Sequence, residues 1–564
     1  MNSIVKIPAA ISAFCRKRAR LCVSLFFAVL LLAGLCVSGD YGLPFDELAE
    51  QVILQENLNE YAHQLLGADS EAVAYYNRLG IDRISESIER DHGQSAYYAV
   101  APILPLASTA PDRLSALWHA YTWLWFMVGV LAIYGFGREM GWSRPIACIT
   151  ALLLFLSPRF FAEGHYNNKD MVLLSLFLLT LWLGLRLFKK PGYLRGLLFS
   201  LAGAMATNTK IIGIFPWGLI GLGMIGIVTA RKAWDRRMVG IALATLASFV
   251  LIYALLTPAL WPNPAEYLAY LLQNASGFTR WKGYLIYKGM FIDQQKAPIP
   301  RLYLPTMMLI TLPLYTLVLA AAGQLRALWD AARAIKQKKA LADERCWMIF
   351  ILTLCWLLPL GYAIVSRPIV YNGWRHFYFV YAGIVLLAGH GISALSQWLT
   401  QLKTKAKPSS LRAHGHKLAT LLLCLCFAIS AAGIIANHPY QYGYYNLLAR
   451  KTAATDMEMD YWNVSIVNAM HKLASHPDRD QSLPLVIGSR DELCGLGLTF
   501  AHSVLPEPLR NSITVLTDEN APYLLFNTTY SVIFKLSPPE GYHPLFTIDS
   551  YGNVLCTVYE RIES

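Results

Sequence analysis

The sequence predicts a polytopic α-helical membrane protein of about eleven transmembrane helices, followed by an extracytoplasmic α/β domain. Three observations predict it. The 564 residues are 55% hydrophobic and only 15% charged, with a mean hydropathy of +0.39, far more apolar than a soluble domain. Apolar runs of about 20 residues, the length of a spanning helix, recur along most of the chain, whereas a barrel would alternate in segments of about ten. The basic residues, finally, gather in alternate connections.

The runs cover 20–38, 114–136, 145–161, 171–188, 193–209, 211–229, 238–260, 303–322, 347–365, 377–396 and 418–436. Only Lys210 separates the runs at 193–209 and 211–229, and fusing them would invert every later segment. Charge decides for two runs. The cytoplasmic segments then hold Lys6, Arg16, Lys17, Arg18 and Arg20; Arg138 and Arg144; Lys189, Lys190 and Arg195; Arg231, Lys232, Arg236 and Arg237; Arg326, Arg333, Lys336, Lys338 and Lys339; and Lys403, Lys405 and Lys407. Every short basic connection falls on one side, as the positive-inside rule requires. The net charge of +12 therefore reads as topology, and no nucleic-acid partner is needed to explain it.

The expected organisation is a cytoplasmic N-terminus over 1–19, a transmembrane region over 20–436 and an extracytoplasmic domain over 437–564. The first run is long and no small-x-small site follows it, so it reads as an uncleaved anchor. Leu35 before Cys36 also argues against a lipoprotein box.

Two external loops are large. In 39–113, Val52, Leu54, Leu58, Tyr61 and Leu65 recur at near-helical spacing after Phe45-Asp46-Glu47-Leu48. This predicts an amphipathic helix along the membrane face, with a second helix near 81–90. Loop 261–302 is aromatic and basic, with Trp281, Tyr284 and Tyr287 suited to an interfacial belt. In the C-terminal domain, 483–488, 512–516, 523–526 and 531–534 read as short strands and 463–474 as a helix. Cys22, Cys148, Cys355, Cys424 and Cys426 fall in apolar runs and read as packing residues. Cys494 and Cys556 fall outside, where a disulfide can persist.

Four polar groups at one membrane face are candidates for chemistry. Asp46-Glu47 opens the first external helix, where capping alone could explain it. The connection Ser157-Pro-Arg-Phe-Phe-Ala-Glu-Gly-His-Tyr-Asn-Asn-Lys-Asp170 carries Arg159, Glu163, His165, Asn168, Lys169 and Asp170, far more polarity than a short turn needs. Thr207-Asn-Thr-Lys210 supplies a cation that could also simply snorkel. Tyr371-Asn-Gly-Trp-Arg375-His376 supplies an arginine, suited to gripping phosphate. Two groups give carboxylates and two give cations. A base and a phosphate leaving group near lipid fit that combination. Asp456-Met-Glu-Met-Asp460 looks like a metal motif, but its alternation more simply gives one polar face of a strand or linker.

With these motifs in order, the chain resembles the GT-C superfamily of membrane glycosyltransferases, and within it the protein O-mannosyltransferases and lipid A aminoarabinose transferases. Asp46-Glu47 matches that family's pair in the first external loop. Asp170, in Tyr-Asn-Asn-Lys-Asp-Met, matches its later acidic residue. Thr209-Lys210 matches a Thr-Lys pair, and Arg375-His376 an Arg-Tyr-like motif, with His in place of Tyr. The resemblance covers about 20–400.

It implies a polyprenyl-phosphate-linked sugar as donor and inverting transfer to an envelope glycan, glycolipid or protein. Asp46 would be the base, Glu47 its partner, and Asp170 would position acceptor or sugar. Lys210, Arg375, His376 and Arg159 would hold the donor phosphate. His92, His165, Asn168 and Lys282 are further candidates for acceptor or sugar contacts. No cofactor is firmly implied; a divalent metal is compatible but not indicated, and the motifs of oligosaccharyltransferases are not found. The expected location is a bacterial inner membrane. A transporter or lipid flippase is the alternative, but ionisable residues at one face and no visible repeat argue against it. A non-catalytic assembly or sensor protein is a third reading.

Overall fold

The computed structural model describes residues 18–277, 283–405, 414–516 and 519–562. Each of the eleven apolar runs is helical. Among the described residues, seven helices are long and apolar enough to cross a membrane: Pro111–Glu139, Asp170–Lys189, Ile211–Ala230, Arg236–Leu256, Glu344–Ser366, Val380–Leu402 and Gly415–Ala436. Two further runs are bent pairs, Arg144–Phe155 with Pro158–Tyr166 at 72° and Tyr303–Thr311 with Leu314–Lys336 at 116°. Pro158 and Pro313 stand at the two breaks, where a missing N–H interrupts the helical ladder. The last two runs are 17-residue helices, Ala19–Leu35 and Tyr193–Thr209. The expected eleven are thus seven helices that meet the spanning test by length and composition, nine with the bent pairs, and two shorter ones.

The core of the helical body is Asp170–Lys189, 78% of whose apolar window is buried, against 6% for Gly415–Ala436. Burying the first of these helices brings its leading residue, Asp170, inside. Small residues let the helices approach closely, as membrane packing requires. A Cβ added at Gly129 of Pro111–Glu139 would lie 2.7 Å from Ser175 Oγ of Asp170–Lys189. Leu314–Lys336 and Val380–Lys405 cross through Gly323 and Gly391. A Cβ on Gly323 would stand 1.8 Å from the Leu387 carbonyl oxygen.

Loop 39–113 contains the expected helix, Glu47–Leu66. It buries Ile53, Leu54 and Ala62 together with Glu47, Glu50, Gln51, Asn57, Asn59 and Glu60, and leaves Val52, Leu65 and Leu66 exposed. Its polar face meets protein rather than water. The second helix is Glu71–Arg78, earlier than expected, capped by Ser70 and ended before Gly80 at φ +68°. Residues 81–90 are turns instead. Their polar groups are committed to the first helix: Arg83 Nη2 donates to Glu60 Oε1 at 2.9 Å, and Ser85 N donates to Glu60 Oε2 at 3.2 Å. In the second loop, helix Pro264–Gly277 precedes a hairpin of Tyr284–Tyr287 with Met290–Asp293.

The C-terminal region holds a five-stranded mixed sheet. Its order is Thr514–Val515, Val486–Gly488, Tyr523–Asn527, Asn553–Arg561, Tyr542–Ser550; the first three strands run parallel and the last two join antiparallel. Three of the four expected strands and the helix at Val464–Ala474 are present. The fourth run, 531–534, lies in helix Thr528–Phe534. Asn527 Oδ1 accepts from Thr529 N at 2.9 Å and Tyr530 N at 3.4 Å, and that cap overrides β-branched composition. Cys494 and Cys556 are both buried, but both thiols are free. The expected bridge is absent, and Cys494 Sγ donates instead to the Leu525 carbonyl at 3.5 Å.

Gly323→Ala is expected to destabilise the protein by about 1–3 kcal/mol, because the atoms it meets are backbone. Gly361→Ala, in helix Glu344–Ser366 with nothing within 4 Å of the new Cβ, should be neutral or mildly stabilising. Thermal unfolding of both variants in detergent checks the contrast.

Candidate active site

Asp46 occupies the N-cap of Glu47–Leu66, yet its side chain makes no capping bond. Its Oδ2 accepts from Arg375 Nη1 at 2.7 Å, and the side chain remains 35% exposed. Glu47 is its opposite. It is buried, with Oε2 2.6 Å from His119 Nε2 and Oε1 accepting from Gln51 Nε2 at 3.2 Å. His119 Nδ1 is in turn 3.0 Å from the Ser38 carbonyl. The adjacent carboxylates therefore divide the work. Asp46 faces an accessible space, while Glu47, expected beside it in catalysis, is turned inward and ties the loop to helix Pro111–Glu139.

Asp170 begins the central helix, its N–H donating to Asn167 Oδ1 at 2.9 Å. Its carboxylate pairs with the Lys210 ammonium, so the acid of one motif and the cation of another meet as the sequence suggested. The neighbouring Lys169 pairs with Glu50 and lies 3.0 Å from His92 Nδ1. Burial opposes its charge, but the Glu50 and Glu89 carboxylates outweigh that and raise its pKa above the usual lysine value. Gln94 Nε2 donates to Glu50 Oε2 at 2.6 Å and steadies that carboxylate.

Lys169 and Lys210 line one end of a cavity of about 490 Å³, with His92, Tyr371 and His376. Its other wall is apolar: Ile211, Ile212 and Phe215 at the start of one helix, and Leu358, Pro359 and Tyr362 in Glu344–Ser366. Leu358 and Tyr362 are also exposed on the outer surface of the helical body. The cavity thus joins a polar, charged end, where Lys169 and Lys210 are paired with Glu50 and Asp170 and Asp91 also lines the wall, to an apolar flank, a shape that suits an amphiphile with a polar head. Burial, followed by Lys210, Arg375 and Lys169, pushes the His376 imidazole well below its ordinary pKa. Neutral at pH 7, His376 offers the cavity hydrogen bonding rather than charge.

The Tyr371 ring links this cavity to Asp46. It lies 4.0 Å from the His376 ring and 4.0 Å from the Arg375 guanidinium carbon. Arg375 Nη2 donates to Tyr461 OH at 2.6 Å, and Trp462 covers the guanidinium at 4.6 Å. Arg375 Nε is buried with no hydrogen-bond partner.

Other expected site residues stand apart. Arg159 is 2% exposed and does not line the cavity; Tyr442 and Tyr445 cover it, each at 4.5 Å, and its Nε donates to the Tyr444 carbonyl at 3.1 Å. It is therefore placed to hold the C-terminal segment rather than a donor phosphate. His165 is fully buried between Trp123 and Tyr41, at 4.3 and 4.6 Å, and has no open face for a sugar. Asn168 is buried with Nδ2 unpartnered, outside the cavity lining. Lys282 lies outside the described residues.

Sequence reasoning missed four contributors. Lys169 was one of many polar residues in its turn, and only its pairing with Glu50, 119 positions away, distinguishes it. Tyr461 and Trp462 carry no motif that points to Arg375. Glu458 was read as part of a polar strand face. It is instead 3% exposed, accepts from Tyr442 OH at 2.9 Å, and burial raises its pKa to about 7 despite that bond and the Arg159 charge. Among the described residues no three His, Cys, Asp or Glu side chains are grouped to hold a metal ion.

No family model matches the chain, and no curated protein does. Solved structures similar to it include three membrane-enzyme structures. ArnT from Cupriavidus metallidurans bound to undecaprenyl phosphate is 16% identical, with a TM-score of 0.46 over 95% of this chain and 97% of that one. The apo oligosaccharyltransferase of Archaeoglobus fulgidus is 10% identical, with a TM-score of 0.45 over 90% of this chain and 71% of that one. The arabinofuranosyltransferase AftD from Mycobacteria is 13% identical, with a TM-score of 0.42 over 97% of this chain and 42% of that one. These likenesses are too distant to assign roles, which rest on the residues themselves.

Glu458 gives a signed pH dependence. Its folded pKa lies above the ordinary carboxyl value, so its contribution to stability is present below about pH 4.5 and is lost as pH rises through about 7. Glu458→Gln keeps an acceptor for Tyr442 and should raise the unfolding temperature at pH 8 relative to wild type. At pH 5 the difference should shrink. Thermal unfolding across that range checks it, with a limit of about 3 kcal/mol at high pH.

Proposed function

We propose that this protein is a membrane glycosyltransferase that moves a sugar from a polyprenyl-phosphate donor to an extracytoplasmic glycan, lipid or protein acceptor. The observation that carries the proposal is the cavity between Ile211–Ala230 and Glu344–Ser366, which presents the Lys169 and Lys210 ammonium groups, held by Glu50 and Asp170, at its polar end and Leu358 and Tyr362 on its apolar flank. The order of motifs that resembles the GT-C family supports the same reading. In it, the donor phosphate rests against Lys169 and Lys210, with His92 and His376 within the same wall. The polyprenyl chain runs along the apolar flank toward lipid.

The reaction then needs one proton acceptor and one charge stabiliser. Asp46 takes the proton of the acceptor hydroxyl as its oxygen attacks the anomeric carbon. The bond from that carbon to the phosphate oxygen breaks, and the polyprenyl phosphate departs with the electron pair. The two ammonium groups stabilise its growing charge. A single displacement inverts the anomeric configuration and needs no covalent enzyme intermediate. Arg375 holds Asp46 Oδ2, and Oδ1 remains for the acceptor. Asp170, fixed by Lys210 and Asn167, positions the sugar or acceptor. The reading places this site at the outer face of a bacterial inner membrane, with the N-terminus inside and the C-terminus outside.

The purified protein should transfer label from a polyprenyl-phosphate sugar to a component of an envelope extract. Asp46→Asn should lower turnover by about 10²–10⁴-fold, the usual worth of a positioned base, with donor binding retained. Lys210→Gln, which keeps a hydrogen bond for Asp170, should chiefly raise the donor KM, as should Lys169→Gln. Undiminished turnover in Asp46→Asn would exclude Asp46 as the base. Unchanged donor KM in both lysine variants would remove the phosphate from this cavity.

A further inference from the structure

The segment 458–462 belongs by chain position to the C-terminal region, but its side chains enter the helical body. Tyr461 OH accepts from Arg375 Nη2 at 2.6 Å, and the Tyr461 ring lies 4.7 Å from the same guanidinium. Trp462 Nε1 donates to Glu163 Oε1 at 3.2 Å, and its carbonyl accepts from Phe45 N, one residue before Asp46, at 3.3 Å. The segment is itself fixed from behind. Met459 N donates to Thr529 Oγ1 at 3.0 Å, and Asp460 caps helix Val464–Ala474 through Val464 N and Ser465 N, both at 3.1 Å. The loop bearing Asp46 is pressed on the same domain elsewhere. The Phe45 ring lies 5.9 Å from Phe500, and Gly42, at φ +65°, approaches Val467 so closely that a Cβ would stand 2.5 Å from it.

We propose that Tyr461 is a positioning residue for the transfer reaction: through its hydroxyl it sets the Arg375 guanidinium, and through Arg375 it sets the Asp46 carboxylate. The inference rests on the proposed function. It goes further in making the C-terminal domain a working part of the site. An arginine has five N–H donors in one rigid plane, so fixing one edge aims the others. With Nη2 held by Tyr461, Nη1 points at Asp46 Oδ2, and Nε stays buried and unpaired. Loss of the hydroxyl frees the guanidinium to rotate between Tyr371 and Trp462. The base then loses its orientation while the donor cavity, which Tyr461 does not line, keeps its shape.

Full-length wild type, Tyr461→Phe, Arg375→Lys and the double variant are compared in lipid nanodiscs. The donor and envelope extract are those that support transfer by the wild type. Tyr461→Phe should lower kcat about tenfold or more with donor KM within about twofold, since small misplacements of reacting groups are that costly. The double variant should be no worse than Arg375→Lys, because Tyr461 acts only through Arg375. Wild-type turnover in Tyr461→Phe, or additive losses in the double variant, would overturn the positioning role. A structure of Tyr461→Phe reads the same claim without activity. The Arg375–Asp46 contact should open beyond hydrogen-bond distance, and an unchanged contact also overturns it. If the wild type shows no transfer while this contact depends on Tyr461, it is the proposed function that fails.

Discussion

One buried guanidinium joins the parts of this protein that the chain keeps far apart. Arg375 is 4% exposed, a position that costs several kcal/mol unless the charge is paired and hydrogen-bonded. Its partners come from three regions: Asp46 from the first external loop, Tyr371 from its own turn, and Tyr461 and Trp462 from the C-terminal region. The contacts with Asp46, Tyr461 and Trp462 form only when the helical body, the loop and the C-terminal domain take up one arrangement. The requirement to satisfy Arg375 therefore constrains where Asp46 sits, and where Asp46 sits determines which space its free oxygen faces.

A second constraint works beside it. Placing Asp170 at the start of the most buried of the seven long apolar helices takes a carboxylate out of water, and Lys210 answers it from the end of Tyr193–Thr209. Glu50 likewise answers Lys169 from the inward face of Glu47–Leu66. The buried face of that helix is therefore mixed: Glu47, Glu50 and Glu60 are buried beside Ile53, Leu54 and Ala62, while Val52, Leu65 and Leu66 remain outside.

Much of this was legible in sequence, and the reason is physical. A spanning helix needs a long apolar run, which composition displays directly, so every apolar run proved helical. Asp46, Asp170, Lys210 and Arg375 stood out because charges at a membrane boundary are costly and rare. Long-range pairing was not legible. Nothing local distinguishes Asp46 from a helix cap, Lys169 from its polar neighbours, or His165 from a sugar contact. Their partners, respectively Arg375, Glu50 and the rings of Trp123 and Tyr41, separate them. The strand expected at 531–534 failed for a similar reason. β-branched composition is a weak preference, and the cap at Asn527 together with burial of Tyr530 and Ile533 decided for helix.

The most direct measurement is a structure of the full-length protein in nanodiscs with a polyprenyl phosphate bound. The phosphate should lie between Lys169 and Lys210, with the chain against Leu358 and Tyr362 and the Asp46 carboxylate facing the phosphate's outer side. A phosphate bound elsewhere, or a chain that does not follow the wall formed by Glu344–Ser366, would contradict the assignment of this cavity to the donor.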